Sequence, residues 1–163
     1  MNNILRVLVP VDFSKESELA IKWAQWIVKE KTGATLYLLH ALPLVGKPHS
    51  GLANVGYDME LDAIKQRMKT WQNRLPEDLM SFPIFSSDRV PEAIARVCEE
   101  RNIDLVVMTT RGRHGLTHVL EGSTTEETVR LAPCPVLVLH LNKKTQKLAY
   151  DDSVRLHRID AQL

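Results

Sequence analysis

The sequence predicts an α/β domain built on an open, doubly wound, parallel sheet of five strands with helices on both faces. Three observations predict it. Short aliphatic runs alternate with segments of helical periodicity along most of the chain. The helical segments are long enough to serve as crossovers between parallel strands. The strands read as continuous apolar runs rather than alternating ones, as expected when helices cover both sheet faces.

Each element has its own signal. Ile4 to Val11 (ILRVLVPV) predicts the first strand. Leu19, Ala20, Trp23, Ala24 and Ile27 recur at helical spacing and predict a helix over about residues 15–31. Ser14 stands where an N-cap belongs, and Gly33 where a stop belongs. Thr35 to His40 (TLYLLH) predicts the second strand. Residues 42–57 hold Pro43, Gly46, Pro48, Gly51 and Gly56, which predicts a long loop of the kind that often serves function. Leu61, Ile64, Met68, Trp71 and Leu75 step by three and four and predict an amphipathic helix. Phe82 to Phe85 is a weak third strand, and Val90, Ala93, Ile94, Val97 and Cys98 mark a third helix. Leu105 to Met108 predicts the fourth strand. A glycine-bearing loop and a short helix over about residues 123–131 follow, and then a fifth strand, Pro135 to Leu139. The predicted domain occupies residues 1–141. Residues 142–163 carry mixed charge without strong periodicity and read as a tail.

Composition narrows the function classes. A chain of 163 residues holds one domain with one sizeable core. The 44% hydrophobic and 25% charged content excludes disorder throughout. The net charge of +1 argues against a dedicated nucleic-acid binder, which would show a basic excess. No apolar run approaches the span of a bilayer, and the N-terminal run is broken by Arg6, so no signal peptide is expected. Cys98 and Cys134 lack metal or redox spacing and fit small core residues in a reducing cytosol, so a cytoplasmic location is expected.

In an open parallel sheet, ligands bind beyond the carboxyl ends of the strands where the winding reverses. Asp12 leaves the first strand there. It can accept hydrogen bonds from a ribose or an adenine amino group, or it can stabilise the positive end of the first helix beside Ser14. The second candidate is the run from Thr109 to Thr124. Its glycines allow close backbone approach. Gly122-Ser123 opens a helix whose N–H groups favour a phosphate, and Arg111, Arg113 and His114 add positive charge. Ser123-Thr124-Thr125-Glu126 also reads as a capping box, and a phosphate and a cap can share one helix end. A phosphate-binding P-loop and the GxGxxG fingerprint are absent from the sequence. His114 and His118 lack the context of a metal site, and no nucleophile motif is present. The three tryptophans fall on helical faces and read as core or interface.

Three separated segments, ILRVLVPVDFSKESELAIKWA, DLVVMTTRGRHGLTHVLEGST and LAPCPVLVLH, resemble in order the universal stress protein family. The resemblance covers about residues 3–140. It implies a Rossmann-like fold of the adenine-nucleotide alpha-hydrolase type, with sheet order 3-2-1-4-5. It also implies a homodimer in which Val136 to His140 pairs with its twofold mate. One branch of the family binds ATP, with Mg²⁺, through a G-x-x-G, nine-residue, G-[ST] loop; another lacks the loop and does not bind ATP. On that resemblance Pro10, Val11, Asp12 and the Ala41 backbone look like adenine and ribose contacts. Met108, Thr109, Gly112, Arg113, Gly122, Ser123 and Thr124 look like the remaining contacts. Gly112 and Gly122-Ser123 match the loop. Thr109 replaces its first glycine, and Arg111 stands where a histidine is common. If position 109 requires positive φ, or lies under the phosphates, a β-branched residue there costs about 1–3 kcal/mol. The implied function is an adenine-nucleotide-binding regulator of the stress response, or else an interaction module without nucleotide. With no general base or metal pair in view, Asp12 fits a ribose grip better than water activation, so no enzyme is expected beyond a very slow ATPase.

Overall fold

Among the described residues nine elements follow one another: β1 (Arg6–Pro10), α1 (Lys15–Val28), β2 (Thr35–Ala41), α2 (Gly51–Gln72), β3 (Met80–Ser86), α3 (Val90–Arg101), β4 (Leu105–Thr110), α4 (Ser123–Leu131) and β5 (Val136–His140). They belong to a computed structural model that describes residues 5–29, 31–42, 51–110 and 123–140. The strands form one sheet in the order β3-β2-β1-β4-β5. Every neighbouring pair is parallel, so each connection is a crossover. This is the expected fold class and strand order.

The apolar runs are buried on both faces because alternate residues enter two separate cores. On β1, Val7 and Val9 pack with Ala20, Ile21, Ala24 and Val28 of α1 and Met68 of α2. Leu8, between them, packs on the opposite face with Ala93, Ile94, Val97 and Cys98 of α3. Val7, Leu8 and Val9 are fully excluded from solvent. Each such side chain contributes about 1.5–3 kcal/mol of hydrophobic stabilisation. Trp23 and Trp71 border the first core, whereas Trp26 is exposed.

Helix ends follow local chemistry. Ser14 caps α1 by accepting from the Ser17 N–H, and Gly33 turns the chain toward β2 at φ +79°. Pro91 opens α3, and Asn102 closes it at φ +50°, its N–H reaching the Cys98 and Glu99 carbonyls.

The expectation for residues 42–57 needs correction: α2 starts at Gly51, so the later part of that stretch is helix. Glycine costs about 1 kcal/mol relative to alanine inside a helix, which made Gly51 and Gly56 read as punctuation. No proline intervenes between Pro48 and Pro76, and the helix runs through. Residues 43–50, and the predicted tail, lie outside the described residues. No described helix is long and apolar enough to cross a membrane.

Candidate functional site

Chain direction creates the site. From β1 the chain winds through α1 to β2 on one side; from β3 it winds back through α3 to β4 on the other side of β1. The winding therefore reverses between β1 and β4, where open sheets place their ligands. Pairing reinforces this. The β1–β4 register runs through Leu8↔Val106. On the outer flanks, β1 stays paired with β2 to Pro10↔Leu39 and β4 with β5 to Thr110↔His140. A notch opens between the carboxyl ends of β1 and β4. Pro10, Val11 and Asp12 follow one wall, Met108 and Thr109 the other, and Ala41 ends the adjacent β2. The N-terminus of α4, at Ser123, lies at the same end of the sheet, because α4 returns from β4 toward the start of β5.

The β1–α1 turn is ordered by one carboxylate. Oδ1 of Asp12 accepts from the Ser14 N–H (3.0 Å), from the Ser14 hydroxyl and from the Ser17 hydroxyl (2.5 Å). The Ser17 hydroxyl in turn accepts from the Asp12 N–H (3.0 Å). Asp12 is exposed and thus braces the start of α1, where a negative charge also complements the helix dipole. Of its two sequence-based roles, the stabilising of the start of α1 beside the Ser14 cap is visible in the geometry. A ribose hydroxyl would have to share this carboxylate with these donors.

Residue 13 carries strain. Phe13 has φ +61°, in the left-handed region that costs a bulky residue about 1–3 kcal/mol. Three neighbours hold it. The His40 ring lies 4.6 Å away, centroid to centroid, and Trp71 meets it edge-on at 5.4 Å. The Arg67 guanidinium sits 4.8 Å from the ring centroid, and its Nη2 donates to the Phe13 carbonyl (3.3 Å). His40 Nδ1 lies 2.7 Å from the Val11 carbonyl, which can only accept, so Nδ1 carries the proton. Phe13, His40 and Arg67 belong to the site's architecture, and the sequence reading overlooked them. A bulky residue wedged between Asp12 and Ser14 in a tight turn was the available signal.

The remaining candidates divide into three groups. Val11 and Met108 are buried, so a ligand would meet their backbone rather than their side chains. Pro10, Ala41 and Thr109 are half-buried, and Thr124 is exposed. Gly112, Arg113 and Gly122, with Arg111, His114 and His118, lie outside the described residues, as does the Ser123 side chain. Thr109 occupies a regular position in β4 opposite Leu139. Among the described residues, positive φ at non-glycine positions occurs at Phe13 and Asn102. The feared backbone strain at Thr109 is therefore absent, because a β-branched residue suits an extended strand. Among the described residues no group of three or more His, Cys, Asp or Glu side chains could hold a metal ion.

Comparison with known proteins adds the following. The model of the universal stress protein family matches residues 3–140. A universal stress protein of Methanocaldococcus jannaschii, MJ0531, is 30% identical over 150 residues, covering 85% of this chain and 84% of that protein. The solved structure of MJ0577 from the same organism superposes with a TM-score of 0.71 at 24% identity, covering 85% of this chain and 96% of the other. A universal stress protein of Archaeoglobus fulgidus, solved in complex with dAMP, superposes at 0.54 with 18% identity, covering 85% and 98%.

Proposed function

Since the chain belongs to the universal stress protein family, we propose that it is an adenine-nucleotide-binding regulatory protein that takes ATP, with Mg²⁺, in the notch between β1 and β4. The observation that carries this reading is the coincidence, at one end of the sheet, of the winding reversal, the Asp12 turn and the N-terminus of α4. A related protein in complex with dAMP supports the ligand class. Ser123, Thr124 and the Gly112–Gly122 segment would meet the phosphates at a helix N-terminus. Pro10, Val11, Asp12 and Ala41 would meet the base and sugar, and Met108, Thr109 and Arg113 would close the site. The chain binds rather than turns over its ligand in this reading, and acts in the cytoplasm.

The reading includes a dimer. β5 is an edge strand with Val136, Leu137 and Val138 half-buried, and an edge needs a partner or a cover. Residues 1–141 form the working domain, with residues 142–163 appended.

Isothermal titration with ATP and Mg²⁺ tests the ligand. Binding heat and a raised melting midpoint are expected; neither at millimolar nucleotide would sink the reading. One observation favours the second reading, an interaction module without nucleotide: Oδ1 of Asp12 is already engaged by three donors of its own turn. Adenine nucleotide released by heating freshly purified protein would count against that alternative.

A further inference from the structure

We propose that Cys98 and Cys134 are an oxidisable pair, a modification site at which hydrogen peroxide closes a disulfide between α3 and the segment entering β5. The two residues stand 36 apart in sequence and on different elements, yet their sulfurs lie 3.7 Å apart. A disulfide needs about 2.0 Å between sulfurs. The remaining approach, about 1.7 Å, is within reach of modest side-chain rotation and backbone adjustment.

The juxtaposition is built by the fold and not by the thiols. Ala93, Ile94 and Val97 anchor α3 in the second core. Cys134 is framed by Pro133 and Pro135, whose rings restrict φ, and the Pro135 carbonyl accepts from Val106 of β4 (3.0 Å). Both partners are thus held in place by contacts that survive removal of either sulfur. Their exposure differs: Cys98 is 2% exposed, whereas Cys134 reaches solvent in part. A small oxidant therefore meets Cys134 first.

The chemistry balances in two steps. The Cys134 sulfur attacks one peroxide oxygen; the O–O bond breaks, Cys134 becomes a sulfenic acid and one water leaves. The Cys98 sulfur then attacks the Cys134 sulfur, forming the S–S bond and expelling hydroxide, which departs as water with the Cys98 proton. Two thiols lose two electrons and one peroxide becomes two waters.

Burial, foremost, and then the neighbouring Cys134 raise the Cys98 thiol to about 12; burial also raises Cys134, against the opposing hydrogen bonds with Cys98 and the Val106 backbone. Both thiols are accordingly protonated and slow to react at neutral pH, which suits a stoichiometric mark and not a turnover site. The site lies at the amino end of the sheet, away from the notch, so its test does not depend on nucleotide binding.

The test uses the full native chain exposed to hydrogen peroxide, then alkylated in denaturant and mapped by mass spectrometry. Joint loss of both thiols, a peptide linking Cys98 to Cys134, and full recovery with dithiothreitol are expected. In Cys98→Ser, dimedone should trap a sulfenic acid at Cys134; in Cys134→Ser, Cys98 should stay reduced under the same exposure. The wild-type map decides the matter even where a serine variant folds poorly. Retained thiols, disulfides between chains, or linkage that forms only in denaturant would each overturn the proposal.

Discussion

At the amino ends of β1 and β4 the chain ties itself down at short range. Arg6 donates its N–H to the Asp104 carboxylate (2.7 Å), Asp104 returns its N–H to the Arg6 carbonyl (2.9 Å), and Val106 donates to Pro135 (3.0 Å). Asn102 caps α3 just before this point, and the Cys98–Cys134 pair sits beside it. At the carboxyl ends the same strands part. There Asp12 is exposed, Phe13 is held at an unfavourable φ, and the register between β1 and β4 has run out. The two ends teach a division of labour. Pairing and capping at one end supply stability, and the other end can then tolerate a strained turn and an early end to the β1–β4 pairing.

Substitutions at each end can break that division. The largest effect is expected at Ile94, fully buried on α3. Ile94→Ala should cost about 2–5 kcal/mol in urea denaturation through the cavity it leaves. The heat of nucleotide binding should survive in the fraction that remains folded; a selective loss of binding would show that the two ends are coupled. Next comes Asp12→Ala, which removes the brace of α1 and should cost about 0.5–2 kcal/mol. It should also abolish measurable ATP heat. Loss of stability with unaltered affinity would leave Asp12 a brace of the β1–α1 turn alone.

Thr109→Gly should be milder, costing about 0.5–1 kcal/mol because glycine weakens a strand interior. Since Thr109 lies in regular strand geometry, affinity for ATP should stay where it was. A tighter complex would instead identify the threonine side chain as a steric obstacle under the phosphates. The smallest effect at neutral pH concerns the amino end. Cys98 is raised from 9.0 to about 12 in the folded chain. Below about pH 9 folded and unfolded chains both keep that proton, and stability does not respond. Between about 9 and 12 the unfolded chain releases a proton that the folded chain retains, so stability should fall as pH rises. Cys98→Ala should flatten that slope in a pH series of melting curves.

Much of this was legible in the residues. Strand and helix order followed from apolar runs and helical spacing, which are local properties; Ser14 and Gly33 announced their roles through cap and turn chemistry. The placing of Asp12 just past the carboxyl end of the first strand also followed, because the aliphatic run ends there. The extension of α2 to Gly51 was not legible, since packing overrides a propensity of about 1 kcal/mol per glycine. The contacts of Phe13 with His40, Arg67 and Trp71 join the β1–α1 turn to β2 and α2, and no local pattern encodes them.

Periodicity and composition settle which segments become strands and helices, because those choices depend on neighbours within a turn or a pleat. The pairing of β1 with β4, the strain stored at Phe13, and the meeting of two cysteines 36 residues apart arise only when distant segments share one core. Such contacts answer to the packing of the whole sheet and its helices, and their physical origin is non-local.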